Sequence, residues 1–310
     1  MGWLVVKLGW LEDFLELVDS STFSAAAQRR NITQPAFSRR IRMLEDWLGV
    51  ELVDRREHQF RLTETALRFE PEIRSLVQRW RDLRVRMAAD PAEQQTLTVT
   101  TQHTLMLTHL PGWLKLFQRW QPLTRFQVRT GDISECVTQI TSGEADVLIA
   151  YRTASMVPEP DAGLDKLHRL TIANESLVPT VAPQAGRQMP GWPATLRLIN
   201  YTPESFFGQV VNDICDRELN PGVQVETVCE TSFAAGIKSM CVAGLGVGWL
   251  PRALVSEELA QGRLISLADR LPSPRLDIDI CRLPDYVNPA LDALWERIHD
   301  ITRRDSAGPD

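Results

Sequence analysis

Long apolar runs are missing from this sequence. Nowhere do its 310 residues supply the ~20 consecutive apolar positions that a membrane-spanning helix needs. The opening stretch, Met1 to Leu8, has neither the hydrophobic length nor the cleavage site of a signal peptide, so a cytoplasmic protein with no membrane partner is expected. Cysteine is scarce. Cys136, Cys215, Cys229, Cys241 and Cys281 are odd in number and form no Cys-x-x-Cys pair, which argues against a disulfide framework and against a zinc site. They read either as small buried hydrophobes in a reducing compartment or, for one of them, as a redox-sensing thiol.

Catalytic signatures are absent too. Gly244-Leu-Gly-Val-Gly248 lacks the Lys-Ser/Thr of a phosphate loop and departs from the dinucleotide fingerprint. There is no Gly-x-Ser-x-Gly elbow, no His-Glu-x-x-His and no pair of acids at a telling spacing, and His103 and His109 stand alone. No enzyme, metal or cofactor is therefore expected. An α/β enzyme or a plain small-molecule-binding protein is the alternative class.

Overall positive charge is lacking as well: the net charge is −6. Its distribution matters more than its sum. Residues 1–90 hold 15 Lys and Arg against 14 Asp and Glu, whereas residues 91–310 hold 19 against 26. Between Ser20 and Leu44 there are five arginines (Arg29, Arg30, Arg39, Arg40 and Arg42) and no acid. The large acidic remainder argues against a nonspecific nucleoid-type DNA binder. The length suits two or three domains.

Trp10, Phe14, Leu15 and Val18 recur at helical spacing and predict an amphipathic first helix over 10–19. Ser24 is the expected N-cap of a short alanine-rich second helix ending at Arg30. Asn31-Ile32-Thr33 reads as a turn, and Thr33 as the cap of a third helix with Pro35 in its first turn. Phe37, Ile41, Leu44 and Leu48 make the buried stripe of that helix. Gln34, Pro35, Ser38, Arg39 and Arg42 fall on its other side. Gln can pair with adenine and Arg with guanine in the major groove, while Arg30 and Arg40 are better placed for phosphates. Gly49 ends the helix. Glu51–Val53 and Phe60–Leu62 then form a hairpin whose tip carries Arg55, Arg56, His58 and Gln59, a wing able to reach a flanking groove. Asp54 and Glu57 temper it. A plain helical bundle with a solvated arginine face is the structural alternative.

Phe23-Ser-Ala-Ala-Ala-Gln, Thr33-Gln-Pro-Ala-Phe-Ser-Arg-Arg-Ile-Arg, Leu44-Glu45, Leu48-Gly-Val-Glu-Leu and Leu62-Thr63 together resemble the signature of LysR-type transcription regulators. Thr65-Ala66 depart from the Ala-Gly that the family carries after Leu-Thr. The resemblance implies a multi-domain architecture: a winged helix-turn-helix rich in α-helix, a long linker helix, and an α/β effector domain of two subdomains with a periplasmic-binding-protein-like fold. It also implies binding of double-stranded DNA at inverted-repeat operators, assembly into dimers and then tetramers, and a small-molecule effector. RNA polymerase is a further candidate partner.

The expected boundaries are 9–62 for the DNA-binding domain, 63–88 for the linker helix and 89–95 for a hinge. The effector domain spans 96–303 (subdomain I 96–170 and 271–303, subdomain II 171–270), with a tail at 304–310. Along 63–87, Phe69, Ile73, Leu76, Trp80, Leu83 and Met87 alternate at spacings of four and three, an apolar heptad seam for pairing two chains. The alternative is packing against the chain's own C-terminal domain. Pro71 lies inside this helix.

After residue 95 the order β-α-β-α-β predicts a mostly parallel sheet. Its elements are a strand at 96–101, one helix over Leu105–Trp120, a strand at 125–129, a helix at 133–141 and a strand at 147–151. A second such set and a returning strand at 275–282 follow. Ligand sites in such folds gather at strand carboxyl ends and between lobes. By resemblance, the effector site comprises Thr101, Gln102, His103, Thr104, Tyr151, Tyr201, Thr202, Ser205, Thr231, Ser232, Val247 and Gly248. Hydroxyls at helix N-termini suit an anion, with Arg152 available to pair it. The plain alternative for Thr104, Thr202 and Ser232 is N-capping alone. Trp10-Leu-Glu-Asp-Phe-Leu, Leu198-Ile-Asn-Tyr201 and Gly246-Val-Gly-Trp-Leu-Pro251 resemble the subgroup containing the hypochlorite-response regulator, which implies an oxidant-sensing alternative acting through Met or Cys chemistry.

Overall fold

A computed structural model describes residues 8–54, 61–88, 96–153, 166–187, 194–220, 222–284, 286 and 288–306. The chain divides into two compact units, the first Met1–Glu93 with Thr141–Glu144 and the second Gln94–Ile140 with Ala145–Asp310.

The first unit opens with α1 (Leu8–Ser20), α2 (Phe23–Arg29) and α3 (Gln34–Leu48). Trp10, Phe14 and Leu17 of α1 meet Ala26 and Ala27 of α2 and Phe37, Ile41 and Leu44 of α3 in one core. Each large side chain buried there contributes roughly 1.5–3 kcal/mol, and the alanines let the helices approach closely. Leu48, expected in the same stripe, is only half-buried. The cap of α2 differs from expectation: the Thr22 hydroxyl accepts the N–H of Ala25 at 3.2 Å, and Ser24 lies inside the helix. The turn into α3 places Asn31 at φ 54°, the left-handed region that Asn tolerates better than most residues. Thr33 is the N-cap residue of α3, but its side chain makes no capping hydrogen bond. At the far end Gly49, at φ 72°, closes the helix through a bond from its N–H to the Glu45 carbonyl.

The wing follows as β1 (Val53–Asp54) paired antiparallel with β2 (Arg61–Leu62). Its base is held by the buried Glu45 carboxylate, which accepts the N–H groups of Leu52 and Val53 at 2.9 and 3.1 Å. Arg55, Arg56, His58 and Gln59 of the expected tip lie outside the described residues.

Helix α4 (Glu64–Ala88) is capped by Thr63, whose hydroxyl accepts the N–H of Ala66. It runs about 38 Å and continues through Pro71. Ala66 and Val77 are buried and Ile73 packs against the first core. Phe69, Leu76, Trp80 and Leu83 stay exposed, Leu76 at 55% and Trp80 at 52%. The side chain of Met87 lies outside the described residues.

In the second unit β3 (Thr96–Gln102) pairs in parallel with both β4 (Arg125–Gly131) and β5 (Val147–Arg152). Beyond β5 the sheet turns antiparallel, through β11 (Arg275–Arg282) to β6 (His168–Val181). The expected mostly parallel sheet is thus mixed, because β6 carries the chain out of the first lobe and β11 brings it back. The fourteen residues of β6 pair with β11 over their first half. Their second half pairs with β9 (Gly248–Pro251) and β10 (Ile265–Ser266). In the second lobe, β7 (Thr195–Asn200) and β8 (Gln224–Glu230) pair in parallel, and a bridge from Leu198 to Val247 ties β7 toward β9.

Helices α7 (Ile133–Thr141), α8 (Pro183–Arg187), α9 (Phe206–Arg217), α10 (Ala234–Val242), α11 (Arg252–Ala260) and α12 (Pro289–Ser306) complete the two lobes. The single helix expected over Leu105–Trp120 is two, α5 (His103–Leu107) and α6 (Leu110–Trp120). Pro111 has no N–H, and its ring would strike the carbonyl four residues back. The helix therefore breaks at Thr108–His109 and restarts with Pro111 in its first turn.

Candidate DNA interface and effector site

Thr33, Gln34, Pro35, Arg39 and Arg42 are all exposed, and Ser38 is half-exposed. They occupy the face of α3 opposite Phe37, Ile41 and Leu44, with no acid in the first turn of the helix. Beside them lies an open depression of about 470 Å³ lined by Trp10, Pro35, Ala36, Arg39, Arg40 and Met43. A helix N-terminus with free backbone N–H groups and flanking cations favours negatively charged groups.

The five arginines of the acid-free stretch do not share one role. Arg30 turns inward. Its Nε donates to Asp13 Oδ1 at 2.7 Å and its Nη2 to Glu12 Oε2 at 3.1 Å. Arg29 pairs with Glu16 at 3.2 Å. Arg40 donates from Nη1 to Asp13 Oδ2 at 3.3 Å, with 42% of its side chain still exposed. Burial works against ionisation of Glu12, yet Arg81 and Arg30 outweigh it and hold the carboxyl below its ordinary range. Sequence reasoning missed Glu12 and Asp13. The signal was there: Asp13 lies three residues after Trp10 and one before Phe14, on the buried side of an amphipathic helix.

The residues expected to hold an effector divide in the same way. Several are consumed internally. The Thr101 hydroxyl donates to the carbonyl of Ile149 at 2.8 Å, and Gln102 Oε1 accepts the N–H of Tyr151 at 2.8 Å. The Tyr201 hydroxyl donates to the carbonyl of Trp249 at 3.0 Å. Val247 exchanges backbone bonds with Arg197 and Ile199. A Cβ on Gly248 would fall 2.6 Å from Ile237 Cγ2 and 2.8 Å from Cys241 Sγ, so this glycine serves close packing.

Two tyrosines meet at the junction of the lobes. The Tyr151 ring stacks on Phe206 at 6.0 Å and lies 5.2 Å from Phe207, which in turn lies 5.1 Å from Tyr201. Burial raises the pKa of both phenols, so both remain protonated donors at neutral pH. Of the other residues expected at the effector site, His103 and Ser232 are exposed, Thr202 and Thr231 half-exposed and Thr104 buried. Ser205 caps α9 through the N–H of Gly208 at 3.1 Å. Thr104 lies inside α5, and the cap positions of α5, α9 and α10 are Gln102, Ser205 and Phe233. Capping therefore does not account for Thr104, Thr202 or Ser232.

Arg152 is drawn into ion pairs within the sheet. Its Nε donates to Asp279 at 2.6 Å and its Nη2 to Asp277 at 2.5 Å. Glu175, on β6, is a buried carboxylate. It accepts from Ser176 N–H at 2.8 Å and from Ala253 N–H, in the first turn of α11, at 3.2 Å. His109 Nε2 stands 3.0 Å from it. Burial opposes its ionisation, but the His109 ring and the two amides hold its pKa below the ordinary value.

An exposed basic helix face on a three-helix domain with a wing, carried with a two-lobed α/β domain, defines a DNA-binding regulator. Residues 8–67 match the profile described as bacterial regulatory helix-turn-helix protein, lysR family, and residues 91–303 that of the LysR substrate binding domain. The chain belongs to the LysR family of transcription regulators. It is 27% identical over 305 residues to the HTH-type transcriptional regulator YjiE of Escherichia coli strain K12, covering 96% of this chain and 95% of that one. DarR of Vibrio fischeri, solved in complex with DNA, is 26% identical with a TM-score of 0.54, covering 95% and 99% of the two chains. Full-length HypT from Salmonella typhimurium, a hypochlorite-specific LysR-type regulator, shares the fold at 24% identity and a TM-score of 0.55, over 96% and 99%. The protein is accordingly a DNA-binding transcription regulator whose C-terminal domain, of periplasmic-binding-protein-like fold, is an effector-binding domain.

Proposed function

We propose that α3 enters the major groove, where Gln34, Pro35, Ser38 and Arg39 meet base edges and Thr33 and Arg42 flank them. The wing, with Arg55, Arg56 and Gln59, lies against the neighbouring groove. The exposed apolar edge of α4, at Phe69, Leu76, Trp80 and Leu83, pairs two chains, so that a two-fold protein meets an inverted repeat. Pairs assemble further into tetramers. The protein acts in the cytosol, catalyses no reaction, and engages RNA polymerase at its promoters.

Its effector is a small molecule held at the lobe junction by His103, Thr104, Thr202, Thr231 and Ser232 beside the Tyr151–Phe207 cluster. Binding biases one lobe arrangement over another, which is the only way a ligand can shift such an equilibrium. An oxidant acting on the thiols of Cys136, Cys215, Cys241 or Cys281 is disfavoured. Burial raises the pKa of Cys136, pushes Cys215 up to about 11, and pushes Cys241 and Cys281 up to about 12. Thiols held protonated react slowly.

The observation that carries the reading is the exposed face of α3, with Arg39 and Arg42 and no acid in its first turn, opposite its buried stripe. The test is selection by the purified protein from random duplex DNA at fixed salt. Enrichment of an inverted repeat supports it. A folded dimer that enriches nothing, with and without candidate effectors, overturns it.

A further inference from the structure

Two adjacent acids of α1 gather three arginines from three other segments. Asp13 is 0% exposed and uses both carboxylate oxygens, one for Arg30 at the end of α2 and one for Arg40 of α3. Glu12 does the same, with Oε2 for Arg30 and Oε1 for Arg81 of α4, whose Nε and Nη2 lie 3.2 and 3.0 Å away. The result is a chain of five charges, Arg40–Asp13–Arg30–Glu12–Arg81, running from the base-reading helix through α1 to the linker helix. Arg40, at its outer end, lines the same depression as Arg39 and Pro35.

We propose that Asp13 is a positioning residue for DNA binding: it holds the Arg40 guanidinium as a phosphate clamp beside the base-reading face. The remainder of the chain anchors that clamp to α4. This rests on the reading of α3 as the helix that meets DNA. Three physical points support it. An arginine on a long, flexible side chain loses rotamer freedom when it grips a phosphate, and a carboxylate that fixes it beforehand removes part of that cost. Arg40 is held by a single contact, so its other N–H groups remain free for an anion, whereas Arg30 is committed to both acids. The buried Asp13 charge is compensated from two sides, as a buried ion must be.

The inference makes a prediction opposite to simple electrostatics. Removing an acid near a DNA-binding face ordinarily strengthens binding. Here Asp13→Asn is expected to weaken it, because Arg40 loses its orientation. The readout is the slope of log K against log salt on a fixed mixed-sequence duplex with full-length protein, which counts phosphate contacts independently of base reading. In Arg40→Gln the slope is expected to shrink by about 0.9 per protomer. Asp13→Asn is expected to shrink it by the same amount, and the double variant no further. A merely structural role for Asp13 would lower the melting temperature and leave the slope untouched. Should Asp13→Asn fail to fold, Asp13→Asn with Arg30→Gln removes both members of the buried pair and reads the same slope.

An unchanged slope in Arg40→Gln overturns the clamp. A reduced slope in Arg40→Gln with an unchanged or steeper one in Asp13→Asn (or its paired variant) overturns the positioning. Failure of α3 to read bases shows separately, as loss of enrichment in the random-DNA selection with the salt slopes intact.

Discussion

Arg39 and Arg30 illustrate how little a residue type says about its role. Both are arginines in a stretch without acids, nine positions apart. Arg39 projects from the exposed face of α3, while Arg30 is wrapped by Glu12 and Asp13. Arg39→Ala is expected to cost roughly 1–3 kcal/mol of discrimination at one base position and to relax specificity there, with little change elsewhere in the site. Competitive selection with the variant measures this; a uniform loss across all sequences would make Arg39 a phosphate contact instead. Glu45 makes the same point from the other side. Its place in the Leu-Glu pair of the signature is legible, but its function, gathering two amides at the root of the wing, needed the fold.

At the scale of elements, periodicity located most of the helices and left their ends to local chemistry. The apolar stripe of α3 was readable because Phe37, Ile41 and Leu44 lie four and three residues apart. The cap of α2 was not, since Thr22 and Ser24 are chemically equivalent candidates and only the entry angle of the chain separates them. Pro111 was visible in sequence, yet the apolar pattern on both sides of it favoured a single helix. The seam along α4 is where the element has a consequence for assembly. Ala66 and Val77 are buried, while Phe69, Leu76, Trp80 and Leu83 remain exposed in this unit. An exposed apolar ridge of that length marks an interaction surface, and the proposed pairing of two chains would cover it. Trp80→Glu is expected to convert the dimer to monomer in sedimentation velocity, with the circular dichroism of the folded chain retained. An unchanged sedimentation coefficient would place the pairing surface elsewhere.

Across the effector-binding domain, Glu175 joins parts that the sequence keeps far apart. It sits on the strand that crosses between lobes. It is met by His109 from the start of α6 in one lobe and by the first turn of α11 in the other. Its pKa is lowered from the ordinary 4.5, so the folded state binds fewer protons there than the unfolded chain. The contribution to stability is therefore complete above about pH 4.5 and is lost as pH falls through the depressed folded value. Glu175→Gln is expected to cost about 1–3 kcal/mol at neutral pH and to flatten the acid limb of the stability curve. Thermal melts of both proteins across pH 3–7, a range of about four units around the ordinary Glu value, check this. A variant with the wild-type acid limb would show that the tie between lobes is carried by other groups.

The sequence by itself determined the family, the three helices, the basic face of α3 and the apolar ridge of α4, because these depend on residues close together in the chain and on helical period. It also located most of the strands, whose apolar runs are short and bounded by turns, but neither β10 nor the first half of β6. Tertiary structure alone decided which arginines were free to meet DNA, since that depends on acids in another helix. It likewise decided that Arg152 was spent on Asp277 and Asp279, residues over a hundred positions away, and that Thr101, Gln102 and Tyr201 held the scaffold of the lobe junction. A side chain's type fixes which bonds it can make; only the fold determines whether a partner from elsewhere has already taken them.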